Sequence, residues 1–72
     1  MADTREITRD IQQQYGSVLN ISKVARYLGR GRDKTREFLQ PLDFYRDGRD
    51  KMYLAIDIAK RLNEIRQRGQ DV

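Results

Sequence analysis

Arginine and lysine side chains concentrate in one short stretch of the sequence. The 72 residues contain 15 Lys and Arg against 11 Asp and Glu, which gives a net charge of +4. Residues 21–36 contain six of these bases and only one acid, Asp33. Guanidinium and ammonium groups neutralise phosphates, and an arginine can bind guanine through two hydrogen bonds. This stretch is therefore where we expect a functional site, with an anionic partner.

The composition excludes several kinds of site. The chain contains neither cysteine nor histidine, so it has no disulfide, zinc ribbon or thiol nucleophile, and it lacks the usual base of acyl transfer. We therefore expect no enzymatic activity, no metal and no cofactor. A length of 72 residues predicts one small domain.

The sequence shows no targeting or membrane-spanning segment. Met1 to Asp10 contains charged residues where a signal peptide needs an apolar run, and no apolar run reaches ten residues. We expect a cytoplasmic protein that does not enter a membrane.

Apolar spacing predicts a helix at each end of the chain. Asp3 and Glu6 have the spacing of a capping box, and apolar residues then recur every fourth position up to Tyr15. A final helix is expected from about Ala55, with a stop at Gly69.

Two short helices are expected between these ends. Ser17 to Ile21 is a short apolar patch that fits either a strand or a plain connection, and periodicity does not distinguish them. Ser22 predicts the N-cap of a two-turn helix over residues 23–28, which Gly29 ends. A third helix is expected from near Arg32 to Leu39.

The third helix has distinct inner and outer faces. Thr35, Phe38 and Leu39 point inward on a helical wheel, and Pro41 ends the helix. The outward arc carries side chains that can all form hydrogen bonds: Asp33, Lys34, Arg36, Glu37 and Gln40, with Arg32 at the N-terminal edge. Two short helices joined by a glycine-containing turn predict a helix-turn-helix over residues 22–40.

An Asp-Gly dipeptide between two apolar runs predicts a β-hairpin next. A two-residue turn at this dipeptide would set Arg46 opposite Arg49. A four-residue loop instead sets Arg46 opposite Lys51. It also brings Phe44 opposite Tyr53, and this aromatic pair favours the longer loop.

The stretch SKVARYLG at residues 22–29, a basic short helix and FYRDGRDKMY at residues 44–53 together resemble the compact winged-helix proteins of the excisionase type. These are small DNA-bending accessory proteins of phages and integrative elements, and they share their fold with the DNA-reading domain of MerR-like regulators. The resemblance extends over about residues 17–65. It implies an α+β, mostly α, winged helix-turn-helix with a wing at 44–54 and a C-terminal helix at 55–67. Proteins of this type often lack an N-terminal helix, so the helix expected from the apolar spacing at the start of the chain is an addition to the family pattern.

The resemblance also implies a mode of binding. The third helix would enter the major groove of double-stranded DNA, and the wing would reach the adjacent backbone or minor groove. Asp47 and Asp50 reduce the positive field of the wing, and Ser22 is also explained as a cap. The candidate DNA-binding residues are Ser22, Lys23, Arg30, Arg32, Lys34, Arg36, Gln40, Arg46, Arg49 and Lys51.

Three functions fit this fold. The first is an excisionase-like architectural protein of a mobile genetic element, monomeric in solution, that bends recombination-site DNA for a recombinase such as an integrase. The second is a small transcriptional regulator; regulators of the MerR type add a dimerisation helix and an effector domain, for which 72 residues leave no room. The third is a module whose basic face meets an acidic protein.

Overall fold

The computed structural model describes residues 3–70, and the side chains of residues 3–65. Within these residues the three strands form one antiparallel sheet in the order β1-β3-β2. The elements along the chain are α1 (Thr4–Tyr15), β1 (Val18–Asn20), α2 (Ile21–Leu28), α3 (Arg32–Leu39), β2 (Tyr45–Asp47), β3 (Asp50–Leu54) and α4 (Ala55–Gln70). The predicted fold class is confirmed: α2 and α3 form the helix-turn-helix, β2 and β3 form the wing, and α1 and α4 flank them.

The core takes at least one side chain from every helix. Ile11 of α1, Val24 of α2, Leu39 of α3 and Ile58 of α4 are each at most 2% exposed, and Leu19 of β1 is fully buried among them. Burying one such side chain contributes about 1.5–3 kcal/mol. Each helix is therefore held in place by its own apolar anchor.

The first helix begins as the sequence predicts. The Asp3 side chain accepts a hydrogen bond from the backbone N–H of Glu6 at 2.9 Å, which caps the helix. The same end of α1 is tied to α4, because the Asn63 amide donates to the Thr4 hydroxyl at 3.1 Å. The extra N-terminal helix is thus packed as part of the domain.

The start of the second helix differs from the prediction. Residues 18–20 form a strand, and its pairing extends to Asn20 opposite Met52. Asn20 is therefore extended, with ψ 175°, and its side chain accepts the N–H of Lys23 at 2.9 Å. Asn20 is the N-cap, and the prediction of Ser22 was wrong, because strand pairing lets the helix begin at Ile21 and places Ser22 inside its first turn.

The turn between α2 and α3 confirms the predicted stop. Gly29 has φ 67°, in the left-handed region that favours glycine, and the Arg30 N–H bonds to the Ala25 carbonyl at 3.1 Å. The third helix then runs from Arg32 to Leu39, as predicted.

The wing has the predicted register but a shorter loop. Arg46 lies opposite Lys51, and the Phe44 and Tyr53 rings pack with centroids 5.9 Å apart. Asp47 also pairs with Asp50, so the loop has two residues, not the four expected. The reason is Gly48, whose φ of 65° suits the first position of a tight hairpin turn and allows pairing to continue one step further.

The last helix starts at Ala55, as predicted, but does not stop at Gly69. A glycine inside a helix costs only about 1 kcal/mol and does not by itself end it. The apolar face predicted for this helix leaves the core gradually: Ile58 is fully buried, Leu62 is partly buried and Ile65 is 42% exposed.

A tyrosine joins the first two helices. The Tyr27 hydroxyl donates to the Asp10 carboxylate at 2.7 Å, and its ring meets Tyr15 edge to face. Burial, the hydrogen bond and the negative charge of Asp10 raise the pKa of Tyr27 to about 12.

Replacing the two candidate caps of α2 separately tests the correction at its N-terminus. Asn20→Ala should lower the free energy of unfolding by about 0.5–2 kcal/mol, because the Lys23 N–H loses its acceptor. Ser22→Ala should change it by less than about 0.5 kcal/mol, since the residue lies exposed in the first turn. Urea denaturation of both variants measures the difference, and an equal loss in both would contradict the assignment.

The raised pKa of Tyr27 predicts a loss of stability at alkaline pH. The folded state holds the phenol proton more tightly than the unfolded chain, so this stabilisation is complete below a pH of about 10. It declines as the pH rises from 10.0 toward about 12. Tyr27→Phe should show a smaller decline in urea denaturation between about pH 8 and about pH 11. An identical decline in both proteins would show that Tyr27 is not responsible.

Candidate nucleic-acid interface

An open groove lies between the start of α2, the outer face of α3 and the wing. Its volume is about 370 Å³. Residues from all three elements line it: Asn20, Ile21, Ser22, Arg32, Arg36, Arg49, Asp50 and Lys51. Five of the predicted DNA-binding residues are among them, so the fold brings together side chains that lie up to 29 positions apart in the sequence. We call this the basic groove.

The two arginines of α3 are positioned by the buried side of the helix. Thr35 is fully buried, and its hydroxyl donates to the Gly31 carbonyl at 2.9 Å, while Leu39 is 2% exposed. Since Thr35 and Leu39 face inward, Arg32 and Arg36, one helical turn apart, face outward toward the groove. Both are exposed.

The alternation of the wing strands sorts its charges by sign. Arg46 and Lys51 form one cross-strand pair and therefore share a face with the Phe44 and Tyr53 pair. The next pair along, Asp47 with Asp50, belongs to the opposite face, although Asp50, next to Lys51 in the chain, still lines the basic groove. Like charges directly opposite each other are unfavourable. The wing thus presents a basic face toward α3 at some cost in its own stability.

Two of the predicted residues lie on another side of the molecule. Arg30 and Lys34 line a second groove, of about 360 Å³, against α4. Lys34 is two positions from both Arg32 and Arg36, which is more than half a helical turn. Its ammonium forms an ion pair with Glu37 at 3.8 Å. The basic stretch that is continuous in sequence is therefore divided between two surfaces.

The remaining candidates lie at the margins of the basic groove. Gln40 lines a neighbouring cleft of about 400 Å³ with Arg36 and Lys51. Lys23 is exposed in the first turn of α2, and Arg46 is exposed on the wing. Neither lines the basic groove.

Two residues of this region were missed by sequence reasoning as parts of a site. Asn20 lines the basic groove and caps α2. The signal for it in the sequence was that asparagine is a preferred N-cap residue and stands three residues before Lys23, whose N–H it binds. Phe44 is 45% exposed and lines the neighbouring cleft, although the sequence assigned it only to strand pairing.

Arg61 is a third residue without a sequence signal. Its Nε donates to the Phe38 carbonyl at 3.3 Å, and its guanidinium lies 6.0 Å from the centre of the Phe38 ring. This contact spans 23 positions. It ties the end of α3 to α4 and helps to form the second groove.

Among residues 3–65, no group of three or more acidic side chains is arranged to hold a metal ion. No helix in the described part of the chain is both long enough and apolar enough to cross a membrane.

Comparison with known proteins finds no matching family model, no matching curated protein and no matching solved structure.

Proposed function

We propose that this protein binds double-stranded DNA through the basic groove and acts as an excisionase-like architectural factor. The observation that carries the proposal is that four positively charged side chains line one open groove: Arg32 and Arg36 of α3, and Arg49 and Lys51 of the wing. None of the four forms an ion pair with the acidic side chains described here. Their charges are therefore available to phosphates.

The dimensions of α3 suit a duplex. An α-helix with its side chains is about 10–12 Å in diameter, and the polar side of α3 is exposed along its eight residues. The major groove of B-form DNA is about 12 Å wide and admits one α-helix. In this binding mode α3 lies in the major groove, where Arg36 reaches base edges or phosphates.

The wing supports one orientation of the DNA. Lys51 lines the basic groove with Arg36 of α3, and its cross-strand partner Arg46 lies on the same face of the wing, whereas Asp47 lies on the opposite face. A phosphate held by Arg46 and Lys51 would offset the repulsion between these two positively charged side chains. The duplex therefore lies between α3 and the wing and not behind the wing.

The second groove favours an alternative of another class. Its floor is apolar, with Phe38, Leu62 and the exposed Ile65, and its bases are Arg30, Lys34 and Arg61. An acidic protein segment with apolar side chains would suit this surface. Two of these three positively charged side chains already form ion pairs, Lys34 with Glu37 and Arg61 with Glu64. The second groove is therefore the weaker site for an anion.

Salt dependence tests DNA binding through the basic groove. A plot of the logarithm of the association constant against the logarithm of the salt concentration should have a slope of about −3.5 to −4.5, because four to five phosphates are contacted. Arg36→Ala should weaken binding by about 1–3 kcal/mol, whereas Lys34→Ala, on the same helix, should weaken it by less than about 0.5 kcal/mol. Fluorescence anisotropy with a labelled duplex at several salt concentrations measures both.

The proposal of DNA binding fails if the wild-type protein shows no micromolar affinity at low salt. Equal losses in Arg36→Ala and Lys34→Ala would instead show that the phosphate contacts are not confined to the basic groove.

DNA bending separates the architectural role from its closest alternative. An excisionase-like protein should bend its site in order to assist a recombinase, at a deformation cost of about 1–6 kcal/mol that contacts from α3 and the wing offset. It should bind adjacent copies of a short sequence in one orientation. Circular-permutation gel shifts on a selected site measure the bend. Straight DNA bound by a two-fold dimer would favour the transcriptional regulator.

A further inference from the structure

Phe44 is an exposed aromatic residue on the basic side of the wing. Phe44 is 45% exposed, and its ring packs on Tyr53. The ammonium of Lys51 lies 4.8 Å from the centre of the ring. The surrounding cleft also contains Arg36 and Gln40, so this ring is set among the side chains assigned above to DNA.

The position of Lys51 limits what can meet the ring. A phosphate held by an ammonium group lies about 3 Å from it, and its own sugar is bonded to that phosphate. Because Lys51 is next to the Phe44 ring, a nucleotide bound there brings its sugar against the exposed part of the ring. The face of deoxyribose that is formed by its C–H groups is apolar, and an aromatic ring can pack on it.

We propose that Phe44 packs on the deoxyribose of the nucleotide whose phosphate is held by Lys51. This inference rests on the proposed binding of DNA and adds an apolar subsite to it. The two residues then act as a unit: Lys51 supplies the part of affinity that depends on salt, and Phe44 supplies a part that does not.

The wing offers a matched control one residue away. Tyr45 is 48% exposed, almost the same as Phe44, but its strand partner is Met52, so its side chain lies on the opposite face. The two positions are adjacent at the start of β2 and have nearly the same aromatic exposure. They differ in the face on which the ring lies.

The experiment measures duplex affinity of the full chain by fluorescence anisotropy at several salt concentrations. Phe44→Ala should weaken binding about three- to tenfold at every salt concentration, with an unchanged slope, because buried apolar area is lost and no charge is lost. Tyr45→Ala should leave affinity within about twofold of wild type. Lys51→Ala should reduce the slope of log affinity against log salt by about 0.9.

A second variant guards against a simple folding defect. Phe44→Leu keeps an apolar side chain at the wing and should retain more affinity than Phe44→Ala, with both compared at a temperature below their unfolding transitions. The thermal midpoint of each variant is measured without DNA.

Each outcome has a distinct meaning. Absence of binding by the wild type overturns the proposed function itself. If the wild type binds but Phe44→Ala and Tyr45→Ala lose the same affinity, the subsite is wrong and DNA binding stands. A changed salt slope in Phe44→Ala would also overturn the subsite, since the ring would then act only by positioning Lys51.

Discussion

The pairing of β1 with β3 is the interaction on which the arrangement of the molecule depends. Leu19 lies opposite Tyr53, and both are buried. No residue separates β1 from α2 or β3 from α4, and the N–H of Ala55 bonds to the Ser17 carbonyl at 2.8 Å. A shift of this pairing by one residue would place Leu19 and Tyr53 on opposite faces of the sheet, so that one of them would leave the core. The strand pair therefore fixes the helix-turn-helix, the wing and α4 relative to one another.

The basic groove is a consequence of this arrangement. The helical period of 3.6 residues places the arginines of α3 on one side of the helix. On the wing, the strand period of two determines the face of Lys51, and the turn determines the position of Arg49. Each period separates inward from outward side chains, but neither brings α3 beside the wing. Strand pairing places the wing next to the start of α2, and the burial of Thr35 and Leu39 then orients Arg32 and Arg36 toward it.

Polar contacts between elements supplement a small core. Tyr27 with Asp10, Asn63 with Thr4 and Arg61 with the Phe38 carbonyl each join two elements across 17 or more positions. A hydrogen bond of this kind contributes about 0.5–1.5 kcal/mol, which is a considerable part of the stability expected for so small a domain. The flanking helices α1 and α4 therefore support the surface that α3 presents.

Local features of the sequence were sufficient for most of the elements. Asp3, Gly29 and Pro41 mark helix boundaries through caps, a left-handed turn and a missing donor, and these effects act within a few residues. The inward positions of α3 and the register of the wing follow from periodicity and one aromatic pair. These predictions needed no knowledge of the tertiary structure.

Tertiary structure decided what local signals left open. Residues 18–20 become a strand only because β3 lies beside them, and this pairing makes Asn20 the cap instead of Ser22. The division of the basic stretch into a groove-lining set and a set against α4 likewise depends on which elements flank α3. Charge and spacing in a sequence determine which side chains share a helix or strand face. Packing between distant segments determines which of those faces meet, because that choice depends on the burial of the whole core.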